Sequence, residues 1–155
     1  MSKNAISINQ LMLACEHAKA MRGAGVTENL SIRTLELFAD VYAKLHSGGS
    51  ASPHHVRQVE LWSVKARKLL ETDPDLKPRD CLRVEHGTPR RALARKILEL
   101  HMEGKLNRNT MNKLVARYWK LAVITIDEDL RLNKVARSRM FDTPEERWAE
   151  AGIKF

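Results

Sequence analysis

Cys81-Leu82-Arg83-Val84-Glu85-His86 is the stretch on which the fold class turns. Its residues alternate weakly between apolar and polar, the period of a strand with one covered face. Ala122-Val123-Ile124-Thr125-Ile126, short and β-branched, is the segment that can answer it. A two-stranded ribbon made from them needs helices packed on it to be stable. Elsewhere the apolar residues recur at helical spacing. The expectation is a mostly α protein, α+β at most. It is a bundle of about six to seven helices with a possible small ribbon pairing 81–86 with 122–126.

Upstream, Glu71-Thr72-Asp73-Pro74-Asp75-Leu76-Lys77-Pro78 supports neither helix nor strand. It separates a neutral three-helix half, 1–71, from a basic half, 79–155, within one expected domain spanning 1–155. In the first half, Ser7 and Gln10 form a capping box for a helix from about Ile8 to Arg22. Leu11, Ala14, Cys15, Ala18 and Met21 recur along it. A second helix, Leu30 to His46, carries a broad apolar stripe of Leu30, Leu37, Phe38, Val41, Tyr42 and Leu45, with Leu35 beside it. Ser47-Gly48-Gly49-Ser50 stops it. Ser52-Pro53 opens a third helix that turns Val56, Val59, Trp62, Ala66, Leu69 and Leu70 inward.

Downstream, Thr88-Pro89 starts a fourth helix ending at Gly104, with Leu93, Ala94, Ile97, Leu98 and Leu100 on one arc. Asn109 caps a fifth, with Met111, Leu114, Val115 and Tyr118 inward. Thr125-x-x-Glu128 and Thr143-Pro144-Glu145-Glu146 open two more, and Gly152 ends the last.

Composition narrows the class. The chain has 155 residues, 43% hydrophobic and 30% charged, within the range of an ordinary soluble domain. No apolar run approaches the roughly 20 residues of a spanning helix, and the first residues lack a secretory pattern. The cytosol is the expected location. Cys15 and Cys81, the two cysteines, read as buried thiols there, and no Cys-x-x-Cys pair marks a zinc site. Neither a Gly-rich phosphate loop nor a Gly-x-Ser-x-Gly elbow is present, and Asp127-Glu128-Asp129 reads as an acidic helix start. No cofactor or metal is implied, and the balance leans away from catalysis.

The net charge of +8 is unevenly spread. Residues 1–76 hold 9 basic and 8 acidic side chains, 77–139 hold 16 and 7, and 140–155 hold 2 and 4. A basic block attracts polyanions. Arg91 and Arg95 lie about 40° apart on the fourth helix, at 100° per residue. Lys113, Arg117 and Lys120 share a face of the fifth. Arg108, Arg131, Lys134, Arg137 and Arg139 extend the set. Thr88-Pro89-Arg90-Arg91 adds a helix start with two arginines, a candidate phosphate site. The expected partner is nucleic acid, DNA or RNA, with Arg90, Arg91, Arg95, Lys113, Arg117, Lys120, Arg137 and Arg139 in contact. The alternative is an inhibitor or adaptor docking the same cations on an acidic protein surface. Trp62, Trp119 and Trp148 read as core anchors, with Trp119 placed beside the basic row.

Glu85-His86-x-x-Pro89 delivers a histidine to a tight turn before a helix. The spacing resembles the first strand of HNH (His–metal finger) nucleases. The resemblance covers about six residues and implies that His86 activates water in a degenerate nuclease. The family's central Asn and later metal-binding His have no counterpart at matching spacing. Val84–Ile153, with its Glu-His-x-x-Pro-Arg opening and Ala-Gly-Ile end, is also similar to small uncharacterised bacterial proteins of mobile elements, which implies no activity. His101 reads as a packed core histidine. His17, His46 and the adjacent pair His54-His55 give no two-ligand helix face.

Overall fold

The two alternating segments pair. In the computed structural model of the protein, which describes residues 5–46 and 53–155, β1 (Leu82–Glu85) runs antiparallel to β2 (Ala122–Thr125). Leu82 lies opposite Thr125 and Glu85 opposite Ala122. The other elements are helical: α1 (Ile8–Gly23), α2 (Glu28–Ser31), α3 (Arg33–His46), a 3-10 helix (Pro53–Gln58), α4 (Val64–Thr72), α5 (Pro78–Cys81), α6 (Arg90–Met102), α7 (Arg108–Tyr118), α8 (Ile126–Ala136) and α9 (Pro144–Glu150). The protein is mostly α with one small ribbon. The stop expected at Ser47-Gly48-Gly49-Ser50, the Ser52 cap and the side chains of His54 and His55 lie outside the described residues. None of the helices among the described residues is long and apolar enough to cross a membrane.

The chain divides into two compact units, each built from two stretches of sequence. Unit 1 comprises Met1–Gly48 and Arg90–Arg117, and unit 2 comprises Gly49–Pro89 and Tyr118–Phe155.

In unit 1, α3 packs on both α1 and α6. The Ser7–Gln10 capping box starts α1, which buries Leu11, Ala14, Cys15 and Ala18. Helix α3 buries Leu35, Ala39 and Ala43, and α6 buries Ala92, Leu93, Ala94 and Ile97. Small side chains on these faces allow short interaxial distances, which vary with the residues at the contact. Burial pushes the Cys15 thiol up to about 12, so it stays protonated and unreactive at neutral pH.

The second helix departs from the expected form in two ways. It is not continuous: Ser31 donates its hydroxyl back to the Thr27 carbonyl at 2.8 Å, and Ile32 separates α2 from α3. Its apolar stripe is covered only in part, with Phe38, Val41 and Tyr42 half-buried. Leu30, Leu37 and Leu45 are 58%, 57% and 49% exposed, while Leu35, Ala39 and Ala43 on the opposite side are buried. The fifth helix is also capped two residues earlier than expected. Asn107 Oδ1 accepts from the Thr110 N–H, and Thr110 Oγ1 accepts from the Asn107 N–H, both at 3.0 Å.

In unit 2 the ribbon is covered by α4, α8 and the 3-10 helix, and α9 packs on α8. Leu82, Val123, Ile124, Leu132 and Trp148 are fully buried. The third helix expected from Ser52-Pro53 is instead broken into the 3-10 helix and α4, because the chain from Leu61 to Ser63 hydrogen-bonds to β2. The Val123 N–H donates to the Leu61 carbonyl, and the Ser63 N–H donates to the Val123 carbonyl, both at 2.9 Å. Ser63 then caps α4 by accepting from the Ala66 N–H at 3.0 Å. Its hydroxyl donates at 2.6 Å to Oε2 of the buried Glu128, whose own capping box with Thr125 starts α8. Thr143 likewise caps α9.

Ser63→Ala removes that cap and one of the hydrogen bonds to a buried carboxylate. The expected loss is about 2–3 kcal/mol, a cap plus a charge-assisted hydrogen bond. Urea unfolding followed by tryptophan fluorescence measures it, since Trp62, Trp119 and Trp148 all belong to unit 2. An unchanged midpoint would contradict the role given to Ser63.

Candidate nucleic-acid interface

The arginines of α6 point at carboxylates of the same unit. Arg90 lies 3.9 Å from Asp40, and Arg91 donates to Glu36 at 2.7 Å and to Asn29 at 2.6 Å. Arg95 pairs with Glu28, with Nε 3.2 Å from both oxygens. Ascending α6, the partners descend from 40 to 36 to 28, so these pairs fix an antiparallel register between α6 and the α2–α3 segment. The Arg95 hydrogen bond is the main cause holding the Glu28 carboxyl below its usual range. The same contact raises Arg95. A depressed carboxyl stabilises the fold above its ordinary titration range, and that contribution fades as the pH falls through the folded value. Both partners are exposed enough that the contribution is small.

The remaining candidates are divided between the units. Lys113 and Arg117 are exposed one turn apart on α7 in unit 1. Lys120, Arg137 and Arg139 belong to unit 2. There Lys120 pairs with Glu145, lowering that carboxyl, and the Arg139 guanidinium lies 4.4 Å over the Phe141 ring. Arg131 donates to the Ala151 carbonyl at 3.2 Å, while Lys134 and Arg137 are exposed.

The units differ sharply in charge. Unit 1 holds 13 lysines and arginines against 6 aspartates and glutamates, a net +7, whereas unit 2 holds 14 against 13, a net +1. All six carboxylates of unit 1 already sit in ion pairs: Glu16, Glu28, Glu36, Asp40, Glu99 and Glu103. The surplus therefore remains after internal pairing.

His86 follows β1, half-buried, with its ring edge-on to Trp119 at 5.1 Å between centroids. Glu85, its neighbour in the motif, is engaged by Arg147. Among the described residues no three His, Cys, Asp or Glu side chains gather as metal ligands. His101 is mostly buried on α6 and meets Glu16 at 2.6 Å. Trp148 is a core residue outright, Trp119 nearly so, and Trp62 is half-buried with Nε1 donating to the Val59 carbonyl at 2.7 Å.

Unit 1 also brings together side chains from α3 and α7 that lie far apart in sequence. Tyr42, Leu45 and His46 at the end of α3 and Arg108 and Asn112 on the first turns of α7 line a cavity of about 400 Å³ together with Ala5 and Ile6. The Tyr42 hydroxyl donates to Asn112 Oδ1 at 2.8 Å, and its ring stacks on His46 at 5.9 Å and 16°. Burial raises the Tyr42 phenol while Arg108 opposes the shift, so the hydroxyl keeps its proton and donates. Tyr42 and His46 on α3, and Arg108 and Asn112 on α7, each have the i, i+4 spacing that places two side chains on one helix face.

No family model, curated protein or solved structure matches the chain.

Proposed function

We propose that the protein is a non-catalytic nucleic-acid-binding protein that meets its partner through unit 1. The observation supporting this is the surplus of +7 that persists although every carboxylate of the unit is paired. A field of that size concentrates polyanions near the surface. Arg91 and Arg95 hold α6 to α2–α3 in this reading. Lys113, Arg117 and Arg108 on α7 make phosphate contacts.

Binding of labelled DNA and RNA oligonucleotides from low to physiological salt tests it. Three phosphate contacts predict a fall of log K with log salt of slope about −2 to −3, and Lys113→Ala should flatten that slope by about 1. Absence of binding at low salt, or binding insensitive to salt, would remove the reading.

One specific observation favours a second reading, an adaptor for a protein surface. Leu30 on α2 and Leu37 and Leu45 on α3 leave apolar surface exposed, and such surface marks protein contacts when extensive. A partner retained after nuclease treatment and lost in Leu37→Glu would decide for it.

A further inference from the structure

We propose that the cavity beside Tyr42 and His46 holds one unpaired nucleotide of a bound strand, with its base stacked on His46 and its phosphate on Arg108. The inference rests on the polyanion reading and specifies the form of nucleic acid that the charge alone leaves open. Three properties of the cavity carry it.

Its size comes first. About 400 Å³ lies within the range of small-ligand sites of about 300–1,000 Å³, too small for a duplex. Its lining comes second. The His46 ring is exposed on one side and supported by Tyr42 on the other, which is the platform that sequence-tolerant base stacking uses. Tyr42 occupies Oδ1 of Asn112, and the Nδ2 hydrogens of that amide have no acceptor among the described residues. An unstacked base presents such acceptors on its edges, whereas a base inside a duplex has them paired. Charge is the third. Arg108 exposes a planar guanidinium at the rim, matched to two phosphate oxygens, in the unit that carries +7. Stack, amide and guanidinium thus converge on one nucleotide-sized space at the start of the basic helix.

The test uses the full chain with a fluorescein-labelled single strand of about 12 nucleotides and a hairpin duplex of the same composition, compared by anisotropy at low salt. His46→Ala should weaken single-strand binding by about tenfold, in line with the loss of one stacked base. Duplex affinity should change by less than about twofold. His46→Phe, which keeps a ring, should restore the affinity. Arg108→Gln should weaken both forms, the single strand more. Adenosine monophosphate added to ¹⁵N-labelled protein should shift the Asn112 side-chain amide signals. If His46→Ala leaves single-strand affinity unchanged while salt-dependent binding persists, the cavity assignment falls and the polyanion reading stands. Failure of the parent protein to bind either oligonucleotide overturns both.

Discussion

Arg147→Met should lower the stability of unit 2 by about 4 kcal/mol. Arg147 is 3% exposed, and its guanidinium bridges three acceptors from separate parts of the chain. Nε donates to the Ala136 carbonyl at 3.1 Å, at the end of α8. Nη1 donates to the Gly87 carbonyl at 3.2 Å and to the Glu85 carboxylate at the end of β1. Breaking a buried ion pair by removing one partner costs about 3–5 kcal/mol, because the other charge is left uncompensated. Glu85→Gln keeps an acceptor for Arg147 but removes its counter-charge, and should cost about 2–3 kcal/mol. Lysine cannot substitute, since an ammonium lacks the planar fork that reaches three acceptors. With a urea m-value of about 2 kcal/mol per M, the methionine variant should unfold about 2 M earlier by tryptophan fluorescence. A shift below about 0.5 M would show the bridge to be dispensable.

Gly87→Ala should cost about 3 kcal/mol, and Gly152→Ala about 1. Both glycines have φ of +70°, where a side chain is strained. They differ in what an added Cβ meets. At Gly152 nothing lies within 4 Å. At Gly87 the new atom would sit 2.7 Å from Cβ of Pro144 and 2.9 Å from the Lys120 carbonyl oxygen. Neither neighbour is the far end of a flexible side chain, so backbone must move, and overpacking of that kind costs about 1–3 kcal/mol beyond the strain. The difference between the two alanine variants therefore isolates the clash. In a domain of this size, about 3 kcal/mol corresponds to a fall in Tm of roughly 6–12 °C. Equal melting of the two variants would refute the packing assigned to the β1–α6 turn.

What local chemistry dictates was legible in the sequence. The caps at Ser7, Thr125 and Thr143 stand where Ser/Thr is followed three residues later by Gln or Glu, and the alternation in 81–86 and 122–126 marks the ribbon. Features set by distant residues were not legible. Periodicity weighs leucines above alanines, so it favoured Leu30, Leu37 and Leu45 of the α2–α3 segment, whereas close packing against α1 and α6 selects the Leu35/Ala39/Ala43 face. Extended backbone at Trp62 replaces a helix because β2, some 60 residues later, supplies its hydrogen bonds. The same holds for the charged residues. Arg91 and Arg95 read as a free cationic row, but their carboxylates lie 55 and 67 positions away in sequence.

Because unit 1 is assembled from residues on either side of unit 2's first stretch, the order of synthesis matters. When α3 leaves the ribosome, the helix that carries Leu93 and Ile97 has not been made, and α7 is not complete until residue 118. At 5–20 residues per second, the nascent chain carries α1 and α3 without the cover of α6 for roughly 3–11 s. During that interval Leu11, Cys15, Leu35 and Ala39 lack α6 and are open to chaperone capture. A ribosome pausing between codons 46 and 117 would lengthen the exposure and lower the yield of folded protein.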